Sequence, residues 1–216
     1  MAKVFVVEDD AAMVKQLKAG LTEYAVVSVH NFRSVRQEIE EASPDLILMD
    51  ITLPYFNGFY WTTEIRKEST TPIIFLSSAD DEMNQVMAMN MGADDYMTKP
   101  FSVELLKAKI NALLRRTYRF SQAQLTFNGF ILEGTELKKG PDKVDLTVTE
   151  AKLLRTLFEQ PNQTVPKDVL LAKLWESDDY MDANALQVNI ARMRRKLASI
   201  GFDSIETVRG VGYVLA

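Results

Sequence analysis

Four short polar sets in this chain carry the residue types that phosphoryl chemistry requires: Glu8-Asp9-Asp10, Asp50, Ser77-Ser78 and Lys99. Each falls just past an apolar run, namely "VFVV" (4–7), "LILM" (46–49), "IIFL" (73–76) and the weaker "YMT" (96–98). Clustered carboxylates repel and hold their protons more tightly unless a cation lies among them. An oxygen-only set with room for water suits Mg2+, which keeps several waters and binds through one or two carboxylates plus phosphate oxygens. A carboxylate beside such an ion, with an ammonium group opposite, is a place for a phosphoryl group. Asp50 would attack in line and become an aspartyl phosphate, with the metal and Lys99 neutralising the transferring oxygens. Taken singly, each set has a plainer reading. "EDD" fits a solvated loop or helix N-cap, Asp50 a turn, the serines helix caps, and Lys99 before Pro100 a surface turn.

The elements that must position these residues decide between the readings. Over residues 1–120, apolar runs, including "AVVSV" (25–29), alternate with segments of helical period; the last, "SVELLKAKINALLRR", is apolar at 103, 106, 110, 113 and 114. Strands apolar on both faces, each followed by a helix, predict a parallel sheet covered on both sides, in five βα units. All strands of such a sheet end on one edge, and ligands bind there at a switch in strand order. A 2-1-3-4-5 order brings all four sets together.

Composition narrows the rest. The 216 residues, 47% apolar and 25% charged, suffice for two small domains, each with its own core. No apolar run approaches the roughly 18 to 20 residues that cross a bilayer, and "MAKVFVVEDD" has no cleavable apolar segment, which predicts a soluble cytoplasmic protein without membrane insertion. With no cysteine and one histidine, His30, thiol nucleophiles, zinc–thiolate sites and histidine-rich metal sites are excluded. Residues 1–120 hold 13 Lys+Arg against 17 Asp+Glu, net −4, and residues 121–216 hold 12 against 13, net −1. Neither half is basic, so any case for nucleic acid is local.

After a short polar stretch, "YRFSQAQ" (118–124), the pattern changes class. Short strand candidates are separated by turn signals at Asn128-Gly129, Gly134 and Gly140-Pro141. Helical segments follow near 149–159, 166–174 and 182–199, then two β-prone runs around "RGVG". The segment "DANALQVNIARMRRKLASI" presents Leu186, Ile190, Met193 and Leu197 on one apolar face, leaving Asn184, Gln187, Val188, Ala191, Arg192 and Arg195 to face away. Arg192, Arg194, Arg195 and Lys196 place four positive charges in five residues. A solvated basic face accounts for them as well, but the helix, loop, basic helix and terminal hairpin together describe a winged helix-turn-helix, whose amides and arginines read bases and bind phosphates.

The first domain resembles the receivers of two-component response regulators in "VVEDD" (6–10), "PDLILMDITLP" (44–54) with Gly58, "PIIFLSS" (72–78) and "GADDYMTKPF" (92–101). The second resembles the winged-helix effector of the OmpR/PhoB subfamily in "LTVTEAKLLRTL", "VLLAKLW", "VNIARMRRKL" and "TVRGVGY". The resemblance implies a (βα)5 doubly wound receiver over 1–118, a linker at 119–124 and a DNA-binding domain over 125–216. It implies that Asp50 takes a phosphoryl group from a sensor histidine kinase. Mg2+ would lie between Glu8, Asp9, Asp50 and the backbone carbonyl of Thr52, and Lys99, before a cis bond to Pro100, would meet the phosphoryl oxygens. Ser77 and Tyr96 become a switch, with Thr52 and Ala79 tuning phosphate loss. On the DNA side it implies a recognition helix near 182–198 with Asn184, Gln187, Val188, Asn189, Arg192, Arg194 and Arg195, together with Arg209 and Tyr213 from the wing. RNA polymerase would contact the 175–181 loop.

An activated homodimer would pair through the fourth helix, fifth strand and fifth helix, at Gln85, Met89, Asp94, Asp95, Leu105 and Lys109. Here the sequence departs from the family. Gln85 and Leu105 replace a usual Arg–Glu bridge, whereas Asp95 and Lys109 match another, which predicts a weaker or more apolar dimer. Ala191 and Asn184 stand where many members have arginine, and Ser78 where alanine is commoner. "FLSS", "FNGFYW" and "MNMGADDYMTKPF" also resemble the branch that answers bacitracin and cationic antimicrobial peptides. Two competing readings remain: a regulator that binds DNA without phosphorylation, and an aspartate-nucleophile phosphatase. The phosphatase typically needs a second Asp two residues after the nucleophile, where Thr52 stands.

Overall fold

Apolar runs without alternation become the strands of a parallel sheet. In the computed structural model, residues 1–78, 82–119, 124–174 and 183–216 are described, and the chain divides into two units, Met1–Arg115 and Arg116–Ala216. The first unit alternates β1 (Lys3–Val7), α1 (Ala11–Gly20), β2 (Ala25–Ser28), α2 (Val35–Ala42), β3 (Leu46–Asp50), α3 (Gly58–Ile65), β4 (Ile73–Ser77), α4 (Glu82–Met91), β5 (Asp95–Thr98) and α5 (Val103–Arg119). The strands run parallel in the order β2-β1-β3-β4-β5. Every residue of β3 and β4 is buried, as strands covered by helices on both faces require. The edge strand β2 is only half-buried.

Local signals fix the ends. Asp10 caps α1 by accepting from the Ala12 amide at 2.8 Å, and Asn57 caps α3 by accepting from the Tyr60 amide at 2.9 Å. Gly58, first in α3, lies so close to β3 that a Cβ there would meet the Asp50 carbonyl at 2.2 Å and Phe75 at 2.8 Å. Gly58→Ala is therefore expected to cost about 1–3 kcal/mol by overpacking, read as a lower urea midpoint, and to slow any reaction at the Asp50 side chain.

The second unit opens on an antiparallel sheet of β6 (Leu125–Phe127), β7 (Phe130–Glu133), β8 (Glu136–Lys139) and β9 (Asp142–Asp145), in chain order. Then come α6 (Val148–Phe158), β10 (Val165–Pro166), α7 (Lys167–Leu174), α8 (Ala183–Leu197), β11 (Ile205–Val208) and β12 (Gly212–Leu215). The last two strands form a hairpin that also pairs with β10, giving a winged-helix arrangement. Its core gathers Leu154, Leu157, Leu170, Leu186, Ile190, Met193, Phe202 and Leu215. Among the described residues no helix is long and apolar enough to cross a membrane.

Candidate functional site

At the carboxyl edge of the first sheet, the ends of β1, β3 and the β5–α5 turn bring together the carboxylates and the lysine singled out in the sequence. Glu8 and Asp50 are buried while Asp9 is exposed, and one carboxylate oxygen from each lies within 4.8 Å of the others. Lys99 Nζ donates to Glu8 at 2.6 Å and stands 3.2 Å from Asp50. The Lys99–Pro100 bond is cis, and the Lys99 amide donates to the Ser77 carbonyl at 2.7 Å, which extends the β4–β5 pairing to the lysine.

The charges are mutually adjusted. Burial pushes the Glu8 carboxyl above its usual range; the hydrogen bond from Lys99 opposes the rise and the charge of Asp50 adds to it. Burial pulls Lys99 down, but its hydrogen bond to Glu8 and the nearby Asp50 charge outweigh that, so the ammonium is held more firmly protonated than a free lysine. Two half-neutralised carboxylates and an exposed third form a donor set that a divalent cation with oxygen preference fits. Ser77 is buried beneath the edge and Tyr96, opposite Phe75 in the sheet register, is buried as well. The Thr52 side chain is exposed, and Ala79 lies outside the described residues.

In the second unit, α8 turns Leu186, Ile190, Met193 and Leu197 inward, as the spacing predicts. Two residues expected on its outer face or on the wing are buried instead. Asn189 is 4% exposed, and its amide donates to the Ala185 carbonyl one turn back at 2.9 Å; the buried arc of α8 is wider than the four-residue apolar stripe, and this local bond satisfies the polar group it includes. Tyr213 is 4% exposed within the core. Arg194 is spent on the wing: it donates to the Ile205 carbonyl at 3.0 Å and the Thr207 hydroxyl at 2.9 Å, with its guanidinium 5.7 Å from the Tyr213 ring centroid. Lys196 reaches the buried Glu150 carboxylate at 2.6 Å. The outward set is thus Asn184, Gln187, Val188, Ala191 and Arg195, with Arg192 half-buried and Arg209 exposed at the wing's turn. Arg194→Ala should cost about 1.5–3 kcal/mol of unfolding free energy as its charged hydrogen bonds are lost, so weaker DNA binding in that variant should come with a lower thermal midpoint.

A response regulator receiver domain matches residues 4–111, and a transcriptional regulatory protein C-terminal domain matches residues 141–215. The chain is a response regulator. Over 220 residues, 98% of both chains, it is 40% identical to the response regulator protein GraR of Staphylococcus haemolyticus. The solved N-terminal domain of the nisin resistance regulator NsrR, a lantibiotic response regulator, is 60% identical, covering 53% of this chain and 99% of that one, with a TM-score of 0.51. DrrB, an OmpR/PhoB homologue from Thermotoga maritima, is 25% identical over 100% of this chain and 99% of its own, with a TM-score of 0.50. This response regulator is of the OmpR/PhoB type, a DNA-binding transcriptional regulator.

The regulator's expected pairing face also needs correction. Met89 is buried. The Asp94 side chain is 0% exposed and bonded inward to Arg66 at 2.9 Å, so neither residue faces outward. Asp95 and Lys109 already pair with each other within the chain at 2.7 Å. Gln85 is half-buried and Leu105 is 52% exposed. Arg66 and Glu150 escaped the sequence reading. Glu150 had a visible sign, the capping box "TVTE" (147–150), in which Thr147 and Glu150 exchange hydrogen bonds at the start of α6.

Proposed function

We propose that Asp50 is the phosphoacceptor of this regulator and that a sensor histidine kinase is the donor. One observation carries the reading: the Asp50 carboxylate is buried at a sheet edge with a lysine 3.2 Å away and two further carboxylates beside it. An Asp50 carboxylate oxygen attacks phosphorus, forming a P–O bond as the P–N bond to the donor imidazole breaks; the electron pair of that bond returns to the imidazole. Lys99 offsets the negative charge on the phosphoryl oxygens, and the buried edge limits water at the nucleophile. Glu8, Asp9, Asp50 and the Thr52 carbonyl would hold Mg2+, which supplies charge neutralisation to the transferring group. Water later attacks the acyl phosphate, releasing inorganic phosphate.

Ser77 and Tyr96 read the modified state and shift the α4–β5–α5 surface toward a homodimer, in which the exposed Leu105 supplies an apolar contact. The dimer places two winged helices on direct-repeat promoter DNA about one helical turn apart, and contact with RNA polymerase falls to the 175–181 loop, which lies outside the described residues. The 60% identity to the receiver of the nisin resistance regulator supports a role in the response to antimicrobial peptides or cell-envelope stress. The test is intact mass and oligomeric state after incubation with Mg2+ and acetyl phosphate. One added phosphoryl group and a shift toward dimer are expected, and neither when EDTA removes the metal. An unchanged mass with Mg2+ present would overturn the reading.

A further inference from the structure

The outward strip of α8 is short of the residues that read guanine. Of the four cations in 192–196, Arg194 is bonded to the wing and Lys196 to Glu150. Arg192 is half-buried, its guanidinium pressed down by burial and favoured by the charge of Glu150. The middle of the strip is Gln187, Val188 and Ala191, all exposed, with Val188 at 37%. The exposed cation of the strip, Arg195, lies a further turn along.

In the major groove guanine offers only acceptors, which arginine and lysine read. Adenine offers a donor beside an acceptor, which a carboxamide matches in two bonds, and thymine alone offers a methyl group. A β-branched side chain and a methyl standing one turn apart therefore have one apolar counterpart on a base edge. Residues 187 to 191 advance roughly 6 Å along the helix axis, about two base-pair steps at ~3.4 Å each.

We propose that α8 reads a short A·T element in each half-site, with Val188 and Ala191 against thymine methyls and Gln187 on adenine. This rests on α8 being the groove helix of the DNA-binding domain. The wing is consistent with it. Arg209 is exposed beside Gly210, whose φ of 76° forms the hairpin turn, and the narrow minor groove of A·T tracts attracts arginine.

The test uses the full chain, treated with Mg2+ and acetyl phosphate, on a random-sequence duplex library, with the enriched duplexes sequenced. Each thymine of an enriched duplex is then replaced singly by deoxyuridine, which removes only the methyl group. At one or two positions per half-site binding should weaken about fourfold, the factor equivalent to ~0.8 kcal/mol for one buried methyl. In Val188→Ala the deoxyuridine penalty at one of these positions should vanish. Gln187→Arg should gain a preference for guanine at the adenine position, a result that a misfolded protein does not give. Enriched sites that are G·C at these positions, or deoxyuridine penalties that persist unchanged in Val188→Ala, would overturn the proposal. Absence of any enrichment would overturn it together with the assignment of α8 to the groove.

Discussion

Asp50→Ala is expected to leave the protein folded and unable to take up a phosphoryl group. In the proposed reaction the carboxylate is the nucleophile, and neither Glu8 nor Asp9 replaces it. Glu8 is held by Lys99 at 2.6 Å, and Asp9 is exposed on the loop beyond β1. Stability should not suffer, because Asp50 is one of the charges that hold the Glu8 carboxyl above its usual range, and removing it relieves a buried repulsion while Lys99 keeps Glu8 as a partner. With Mg2+ and acetyl phosphate, intact mass should show one added phosphoryl group on wild type and none on the variant, and the urea midpoint of the variant should equal or exceed that of wild type. The phosphodonor-dependent changes in oligomeric state and DNA affinity should disappear with it. Equal phosphate uptake by the variant would place the acceptor on another residue. Loss of DNA binding at every donor concentration, with normal folding, would show that the carboxylate serves the effector domain in some other way.

The sheet was legible because burial on both faces removes any need for alternation: "LILM" and "IIFL" are strands since no residue in them has to meet water. The weak run "YMT" was legible only by its place after a helical segment, and it extends to Asp95, whose carboxylate is paired with Lys109. The convergence of the carboxylates and the lysine on one edge was legible for a topological reason. In a parallel sheet the residue after each apolar run is delivered to one edge whatever the loops do, so Glu8, Asp50 and Lys99 converge without any knowledge of their distances.

Faces of helices were less legible than their existence. Asn189 looks like a DNA-facing amide because it is polar, yet a helix packed on several sides buries a wide arc, and the amide meets its needs with the Ala185 carbonyl. Tyr213 is a strand residue whose ring joins a core that only the folded unit defines. The fate of the basic cluster depends on partners far along the chain, Glu150 for Lys196 and the wing for Arg194, and no spacing rule within 192–196 encodes them.

Arg66 is the clearest residue of that kind, and Arg66→Ala is expected to produce the largest loss of stability in the receiver, about 3–5 kcal/mol. From the end of α3 its guanidinium donates to the Gly92 carbonyl at 2.8 Å, the Thr71 carbonyl at 2.7 Å and the Asp94 carboxylate at 2.9 Å. That carboxylate also accepts from the Ile73 amide at 3.0 Å. The two side chains are 4% and 0% exposed, so truncation strands a charge that water does not reach and leaves backbone carbonyls without their donor. Arg36 is only partly covered and pairs with the exposed carboxylates of Glu40 and Glu68; water screens these pairs, and removal of Arg36 should move the midpoint far less. Urea unfolding of Arg66→Ala, Arg36→Ala and Arg66→Met/Asp94→Leu separates charge stranding from lost packing. The double replacement should recover most of the loss, because an apolar pair of similar volume leaves no buried charge behind. If the double variant is as unstable as Arg66→Ala, the bonds to Gly92 and Thr71 carry the stability, and Arg66 acts as a clamp on the segments flanking β4 more than as a counter-ion to Asp94.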